Sequence, residues 1–331
     1  MQNIQNMQNN TLIDAIKGAV VHKNVGKYIR SIVKPNISLK SISKLIEDKI
    51  REEVNYDTKN PLNAGIAFPV GLSLNNCAAH YTPNYYEDDT ILKSTDILKI
   101  DYGVHVKGTI IDSAFTIHFD NKYDKFIEIS KNLTNYAVSL CGPDAILGDI
   151  GKDIEEYISS KEIEIDGKIH QLRTMSDLSG HAISKYEIHA GKAVPNIAIN
   201  YPLRMKANEY YAVEPFITTG DGKTILKDHN SHFMMNKNYK MNSNKIEDDD
   251  EKYVYNLIDN YYSTLPFCQK WLYEYNDTYN YDNILKKLED KKILQSYPPI
   301  YDINDSIISQ FEHTIFIKEN GIINLTSNDF Y

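Results

Sequence analysis

Five residues sit where their types are hardest to explain by packing: Asp101, Asp112, His181, Glu214 and Glu312. The two aspartates lie in I-L-K-I-D-Y-G-V-H-V-K-G-T-I-I-D-S-A-F-T-I-H-F, Ile97 to Phe119. This stretch reads as two runs of period-two alternation joined by a tight turn near Val106-Lys107-Gly108. Folding about that turn predicts Asp101 and Asp112 opposite each other on one face, roughly 5 Å apart, where like charges repel. Their neighbours Ile100, Tyr102, Ile111, Ala114 and Phe115 predict burial, and a buried carboxylate needs compensation. Solvent or a lysine is the ordinary answer to such a pair. Lys99 and Lys107 share the parity of Asp101 but lie toward the strand start and the turn. A metal cation between the carboxylates is the simpler candidate.

The other three exceptions strengthen that reading. Glu214 falls inside E-Y-Y-A-V-E-P-F-I-T-T, Glu209 to Thr219, and Glu312 inside S-Q-F-E-H-T-I-F-I, Ser309 to Ile317. Both stretches read as strands with the glutamate inside an apolar run, where it is rarely left unpaired. His181 and His189 lie in L-S-G-H-A-I-S-K-Y-E-I-H-A-G-K-A-V-P-N, which is neither a good helix nor a plain strand. Gly180 and Gly191 there permit close backbone approach to a site. Four carboxylates and one imidazole suit two divalent cations, four negative charges against four positive. Carboxylate-rich sets favour Mn, Fe or Co over the thiolate-rich sites of structural zinc. Two metals about 3.5–4 Å apart hold a hydroxide at neutral pH and polarise a carbonyl, which is hydrolase chemistry. His80, in the polar loop Leu74 to Asn84, is by itself most often a structural group. Beside a metal pair, His80 and His189 become candidates for handling a substrate amide.

The surrounding elements suit such a site. Helical periodicity runs from about Thr11 to Val54, broken at Pro35-Asn36, with Ser38 to Ser41 offering caps. Gly65 to Gly71 reads as a short apolar strand ended by Pro and Gly. Helices are predicted over Lys122 to Cys141 and about Gly148 to Ser159. Asn236 to Lys252 turns acidic toward Glu247 to Glu251 and reads as a loop with a solvated face. Tyr253 to Ile293 is helical again, interrupted at Leu265-Pro266-Phe267. The 331 residues can bury a large core, and a net charge of −9 argues against a nucleic-acid surface as the main business. Three cysteines without CxxC spacing fit a reducing cytosol, and no apolar run approaches a membrane span. The first ten residues read as a short polar tail without a signal peptide. No GxxxxGK[ST], GxGxxG after a strand, GxSxG elbow or HExxH helix competes with the metal reading.

N-N-C-A-A-H-Y-T-P-N, K-I-D-Y-G-V-H-x-x-G-T-I-I-D-S-A-F-T, G-H-A-I-S-K-Y-E-I-H-A-G-K-x-V-P and Q-F-E-H-T-I resemble the type 2 methionine aminopeptidases, in order from about Thr11 to Tyr331. The resemblance implies an α/β (α+β) pita-bread (creatinase/aminopeptidase) fold over residues 11–331. A helical insertion over about 233–296 would mark type 2. It implies two divalent ions (Mn, Co, Fe or Zn): Asp101 on one, His181 and Glu214 on the other, Asp112 and Glu312 bridging both. Glu214 falls where relatives relay a proton. His80 and His189 fall where they contact the scissile amide and steady the tetrahedral intermediate. Phe68, Ile188, His232 and Tyr297 fall where they line the methionine pocket. The implied partner is the N-terminal Met of nascent peptides with a small second residue, with transient ribosome association and neither nucleic acid nor membrane. The resemblance further implies a cytoplasmic monomer.

Two departures bear on these expectations. Pro215 follows Glu214 where many eukaryotic members carry Thr, a change other members tolerate. Eukaryotic relatives often carry a long charged N-terminal extension, whereas here only the Asn/Gln stretch precedes the fold. Ribosome association through such an extension is not expected. The rival readings are a prolidase or Xaa-Pro aminopeptidase with the same five ligands, and a silent homologue binding RNA or ribosomes. The insertion and the A-A-H-Y-T-P-N loop speak against the first, and the intact ligands and acidic charge against the second.

Overall fold

The computed structural model describes residues 2–227 and 229–327, with side chains from Thr11 onward. The polar tail expected over residues 1–10 therefore lies outside the residues described in full. The chain opens with α1 (Gln2–Ile32) and α2 (Leu39–Glu53). Asn36, at φ +73°, turns the chain between them, and the Ser38 side chain caps α2 by accepting from the Ser41 N–H. Next come β1 (Ala64–Leu74), β2 (Cys77–Ala79), β3 (Ile97–Val106) and β4 (Thr109–His118). Strands β1, β3 and β4 form an antiparallel sheet in that order. Val25 and Ile29 of α1 with Ile42, Ile46 and Ile50 of α2 pack on it against Leu72, Leu98, Ile100 and Val104.

Two expectations are corrected here. β1 does not end at Pro69-Val70-Gly71 but runs on to Leu74. Irregularities in its pairing between Ile66 and Gly71 absorb the proline, which has no N–H to give a ladder. In the hairpin, Lys107 (φ +49°) and Gly108 (φ +78°) make a two-residue turn of the type that favours tight hairpins. That turn pairs Asp101 with Ala114 and Asp112 with Gly103. The aspartates share a face as expected, but diagonally rather than directly opposite.

Helices α3 (Asp124–Leu140) and α4 (Leu147–Ser159) follow, then the hairpin β5 (Glu162–Ile165) and β6 (Lys168–Gln171). After it come β7 (Arg173–Thr174), β8 (Ser179–Ile183), β9 (Ala193–Pro195), β10 (Tyr210–Val213), β11 (Phe216–Thr218), β12 (Ile225–Leu226) and β13 (His232–Met235). His181, in a stretch the sequence left without an element, is thus on strand β8. Helices α5 (Tyr239–Asn242) and α6 (Asp249–Tyr261), strand β14 (Phe267–Cys268), and helices α7 (Gln269–Tyr273) and α8 (Tyr281–Asp290) lead to β15 (Leu294–Tyr297). Strands β16 (Ile300–Tyr301), β17 (Ile308–Gln310), β18 (His313–Ile317) and β19 (Ile322–Asn324) close the described chain.

The larger sheet has the order β19-β18-β10-β8-β9, and a smaller one the order β17-β11-β7. Phe126, Leu133, Ile150 and Ile154 of α3 and α4 pack against Tyr211, Val213, Ile315 and Ile317 of these strands. Residues from Phe233 to Leu294 gather round a separate apolar cluster that includes Val254, Ile258, Phe267, Trp271 and Leu288. The acidic run is exposed over residues 247–250 as expected, but it starts a helix and is not a loop. Asp248 caps α6 by accepting from Asp250 and Glu251 N–H, and acidic residues in the first turn suit the helix dipole. Glu251 is buried and pairs with Lys291 and with Lys287 (3.6 Å). Among the described residues no helix is long and apolar enough to cross a membrane.

One buried group ties α1 to the hairpin. His22 is buried, its Nε2 lies 2.9 Å from Tyr102 O and 3.2 Å from Ser113 O, and its ring stacks on Tyr102 at 4.0 Å. Burial pushes its pKa down from 6.5 to about 4. A folded pKa below the unfolded one gives stability that is present above 6.5 and is lost as pH falls through about 4. The shift corresponds to roughly 3 kcal/mol at full development. His22→Phe keeps the ring and removes the titration. Denaturant unfolding is expected to show a lower stability at neutral pH for this variant and a shallower loss on acidification than for the parent.

Candidate metal centre

The two sheets meet where two neighbouring strands break together. β10 pairs with β18 as far as Val213↔His313, and β11 pairs with β17 from Phe216↔Gln310. The intervening residues, Glu214-Pro215 on one strand and Phe311-Glu312 on the other, belong to neither ladder. Both glutamates therefore occupy breaks and not strand interiors, which corrects the sequence expectation. Pro215 lacks the N–H that a continuous ladder would need. Strand β4 holds the second break in place: Glu312 N–H donates to Ala114 O at 3.0 Å, and the Ser113 hydroxyl donates to Glu312 O. Asp112 N–H donates to Thr314 Oγ1 at 2.8 Å. The hairpin aspartates are thereby delivered to the glutamates.

His181 of β8 completes the group. Its Nε2 lies 3.4 Å from Asp112 Oδ2 and 3.4 Å from Glu214 Oε1. One ligand-type atom each from Asp112, His181 and Glu312 falls within 4.8 Å of the others. Gln310, which sequence reasoning missed, donates from Nε2 to Glu214 Oε2 (3.1 Å) and Glu312 Oε2 (3.3 Å). The signal for it was position: Gln310 lies two residues before Glu312, at the end of β17 just ahead of the break. The remaining atoms are conspicuous. Asp101 Oδ1, Asp112 Oδ1, Glu312 Oε1 and His181 Nδ1 are all buried with no hydrogen-bond partner. Burial, then their mutual repulsion, pushes the carboxyls of Asp101, Glu214 and Glu312 well above the usual range. Burial raises Asp112 to about 7. Among the described residues no lysine or arginine pairs with them: Lys99 is buried but donates to Asn75 O (2.8 Å) and Ile308 O (3.0 Å), and Lys107 lies 3.9 Å from Asp14 at the surface. Orphaned acceptors, an all-oxygen-and-imidazole set and missing positive charge fit divalent cations.

A cavity of about 290 Å³ opens over this group. Asp101, Asp112, His181 and Glu214 line its floor, and His80, His189, Phe68, Ile188, His232 and Tyr297 line it as well. Of the sequence-predicted residues only Glu312 stays behind the wall, 1% exposed. The His189 ring stands perpendicular to His181 with centroids 4.5 Å apart. The His80 ring is 5.8 Å from both His232 and Tyr297. Burial pushes His80 and His181 down to about 4 and His189 and His232 to about 3, so all four imidazoles are neutral at pH 7. His80 itself has a left-handed backbone, φ +63°, which costs a non-glycine residue of order 1–3 kcal/mol. The cavity thus has an acidic floor, two neutral imidazoles beside it, and an apolar wall that Met234 and Pro266 extend.

A folded carboxyl pKa raised above its unfolded value gives stability that is full at low pH and is lost as pH rises, here through about 7 for Asp112. Chelator-stripped protein is therefore expected to melt lower at about pH 8 than at about pH 6. Added Mn²⁺ or Co²⁺ should recover the difference, and Asp112→Asn should shrink the recovery. A calorimetric melt of loaded and stripped protein at both pH values measures this.

The profile of metallopeptidase family M24 matches residues 15–249. Methionine aminopeptidase 2 of Encephalitozoon hellem is 39% identical over 328 residues, covering 98% of this chain and 89% of that protein. Methionine aminopeptidase 2 of Debaryomyces hansenii is 40% identical over 314 residues, covering 95% and 74%. Among solved structures, the methionine aminopeptidase of Thermotoga maritima superposes with a TM-score of 0.64 at 16% identity, covering 96% of this chain and 97% of that one.

Proposed function

The chain belongs to metallopeptidase family M24 and, within it, to the type 2 methionine aminopeptidases, and from that premise we propose how its own residues remove an N-terminal methionine. The observation that carries the reading is the meeting of four carboxylates and His181 at a cavity that His80 and His189 flank and apolar side chains wall. The fold is the family's pita-bread α/β fold, and the separately cored residues about 233–296 are read as its helical insertion. Relatives at 39–40% identity favour methionine release over Xaa-Pro cleavage or a silent binding role.

Asp101, Asp112, His181, Glu214 and Glu312 would hold two divalent ions, drawn from Mn, Co, Fe or Zn. These ions supply Lewis acidity and an activated water at neutral pH. The protein supplies the rest. Phe68, Ile188, His232 and Tyr297 receive the thioether side chain, which orients the first peptide bond over the acidic floor. His80 and His189, neutral through burial, present ring N–H or lone-pair groups to the scissile amide and steady charge on its carbonyl oxygen. Glu214, whose burial raises its affinity for a proton, takes the proton of the attacking water and passes it to the departing amine nitrogen. Gln310 holds Glu214 Oε2 at 3.1 Å while this happens. We read the substrates as nascent chains met in the cytoplasm by a monomer, with any ribosome contact transient.

A peptide panel starting Met-Ala, Met-Val, Met-Gln, Leu-Ala and Ala-Pro tests the activity on metal-stripped protein supplied with Mn²⁺, Co²⁺ or Fe²⁺. Release confined to Met before small residues is expected, whereas release from Ala-Pro alone would move the chain to prolidase chemistry. Removing one donor to a developing oxyanion typically costs about 10²-fold in kcat, which is the loss expected for His189→Ala with metal content unchanged. Loss of metal in that variant would show that His189 serves the metal set instead. Glu312→Gln and Asp112→Asn are expected to abolish turnover.

A further inference from the structure

We infer that Ser231 is a positioning residue for His80, holding the strained turn that aims its imidazole into the cavity. This rests on the reading of His80 as a group that contacts the scissile amide. His80 follows β2 and takes a left-handed backbone (φ +63°), a conformation that persists in a histidine only where the surroundings impose it. The turn from His80 to Thr82 makes few backbone contacts with a sheet. Only the Tyr81 carbonyl accepts from a strand, from Leu72 N–H of β1 at 2.7 Å.

Three further backbone groups of the turn, the His80 carbonyl and the Thr82 amide and carbonyl, go to the side chains of Ser231 and His229. The Ser231 hydroxyl donates to His80 O at 3.2 Å and accepts from Thr82 N–H at 3.1 Å. One hydroxyl thus spans the turn from its first carbonyl to its third amide. His229 Nε2 lies 3.3 Å from Thr82 O, and its ring stacks on Tyr81 at 4.8 Å. Glu87 fixes both rings, with Oε2 3.3 Å from His229 Nε2 and Oε1 accepting from the Tyr81 hydroxyl at 2.7 Å. Thr82 and Ser231 are fully buried, so water cannot replace the lost hydroxyl at the Thr82 amide. Ser231 Oγ also lies 3.1 Å from His232 Nδ1, which ties the clamp to the cavity wall. Ser231 touches neither the acidic floor nor the cavity: the lining runs from His80 to His232 without it.

Without Ser231 the turn loses its first-to-third bridge and is free to relax toward an ordinary backbone, which swings the His80 ring from its place beside His232 and Tyr297. The acidic floor is untouched, and of the methionine pocket only His232 loses a contact while Phe68, Ile188 and Tyr297 keep theirs, so the larger effect belongs in the chemical step and not in binding.

A double-mutant cycle in kcat on a Met-Ala peptide, with metal content measured for each protein, decides the matter. Ser231→Ala is expected to lower kcat about tenfold with KM within about twofold and metal content unchanged, since a misplacement near 1 Å can cost up to about 10²-fold. In a His80→Ala background, Ser231→Ala should add less than about twofold, because residues that act through one another are not additive. Losses that multiply, or a Ser231→Ala enzyme with the parent kcat, would overturn the inference. A His80→Ala enzyme at the parent kcat would instead remove the role of His80, and the purpose of the clamp with it.

Discussion

Four carboxyls gathered around one cavity, each held above its ordinary pKa by burial, cannot all stay ionised without positive charge among them. Everything else in the molecule is arranged around that constraint. The hairpin supplies Asp101 and Asp112 from one sheet, and the paired strand breaks supply Glu214 and Glu312 from the junction of two others. No one sheet could build the site alone. The bonds from β4 to residues 312 and 314 are what join the hairpin to that junction in one centre. Helices α1 to α4 bury the outer faces of those sheets and leave the charged groups on the seam between them.

The cavity above the seam divides the work by chemistry. Charge lies on its floor, where cations would neutralise it. Neutral imidazoles stand at its side, where a charged ring would be repelled by cations and would be costly to bury. Apolar groups form its wall, which suits an uncharged thioether and excludes water from the reacting bond. The imidazoles are neutral for the same reason that the carboxyls resist ionisation: burial penalises charge of either sign. Cations relieve the second penalty and leave the first in force.

Much of this was legible from the chain because each ligand candidate broke a local pattern. Asp101 and Asp112 interrupt an apolar hairpin, and Glu214 and Glu312 interrupt apolar runs. What could not be read was how the interruptions fit together. The alignment of residues 213–216 with 310–313 is a register set between segments roughly a hundred residues apart, and no local signal encodes it. The diagonal placement of Asp101 and Asp112 turned on a single step in the hairpin register. Gln310 and Ser231 escaped notice because a Gln in a strand or a Ser in a loop is ordinary, and only their partners make them otherwise. Residues 247–250 are exposed as the run of like charge suggests, but the helix start at Asp249 escaped notice because its capping geometry appears only once α6 is in place.

The separate apolar cluster between Phe233 and Leu294 has a consequence for how such a molecule can change over time. The cavity floor is drawn from β3, β4, β8 and the break at Glu214, while Met234 and Pro266 of its wall lie within the segment with its own core and His232 and Tyr297 flank it. Repacking within that segment can shift the wall without touching a single acidic side chain. The hydrolytic apparatus and the choice of side chain are therefore separately heritable traits: drift in one can be tried while purifying selection still holds the other.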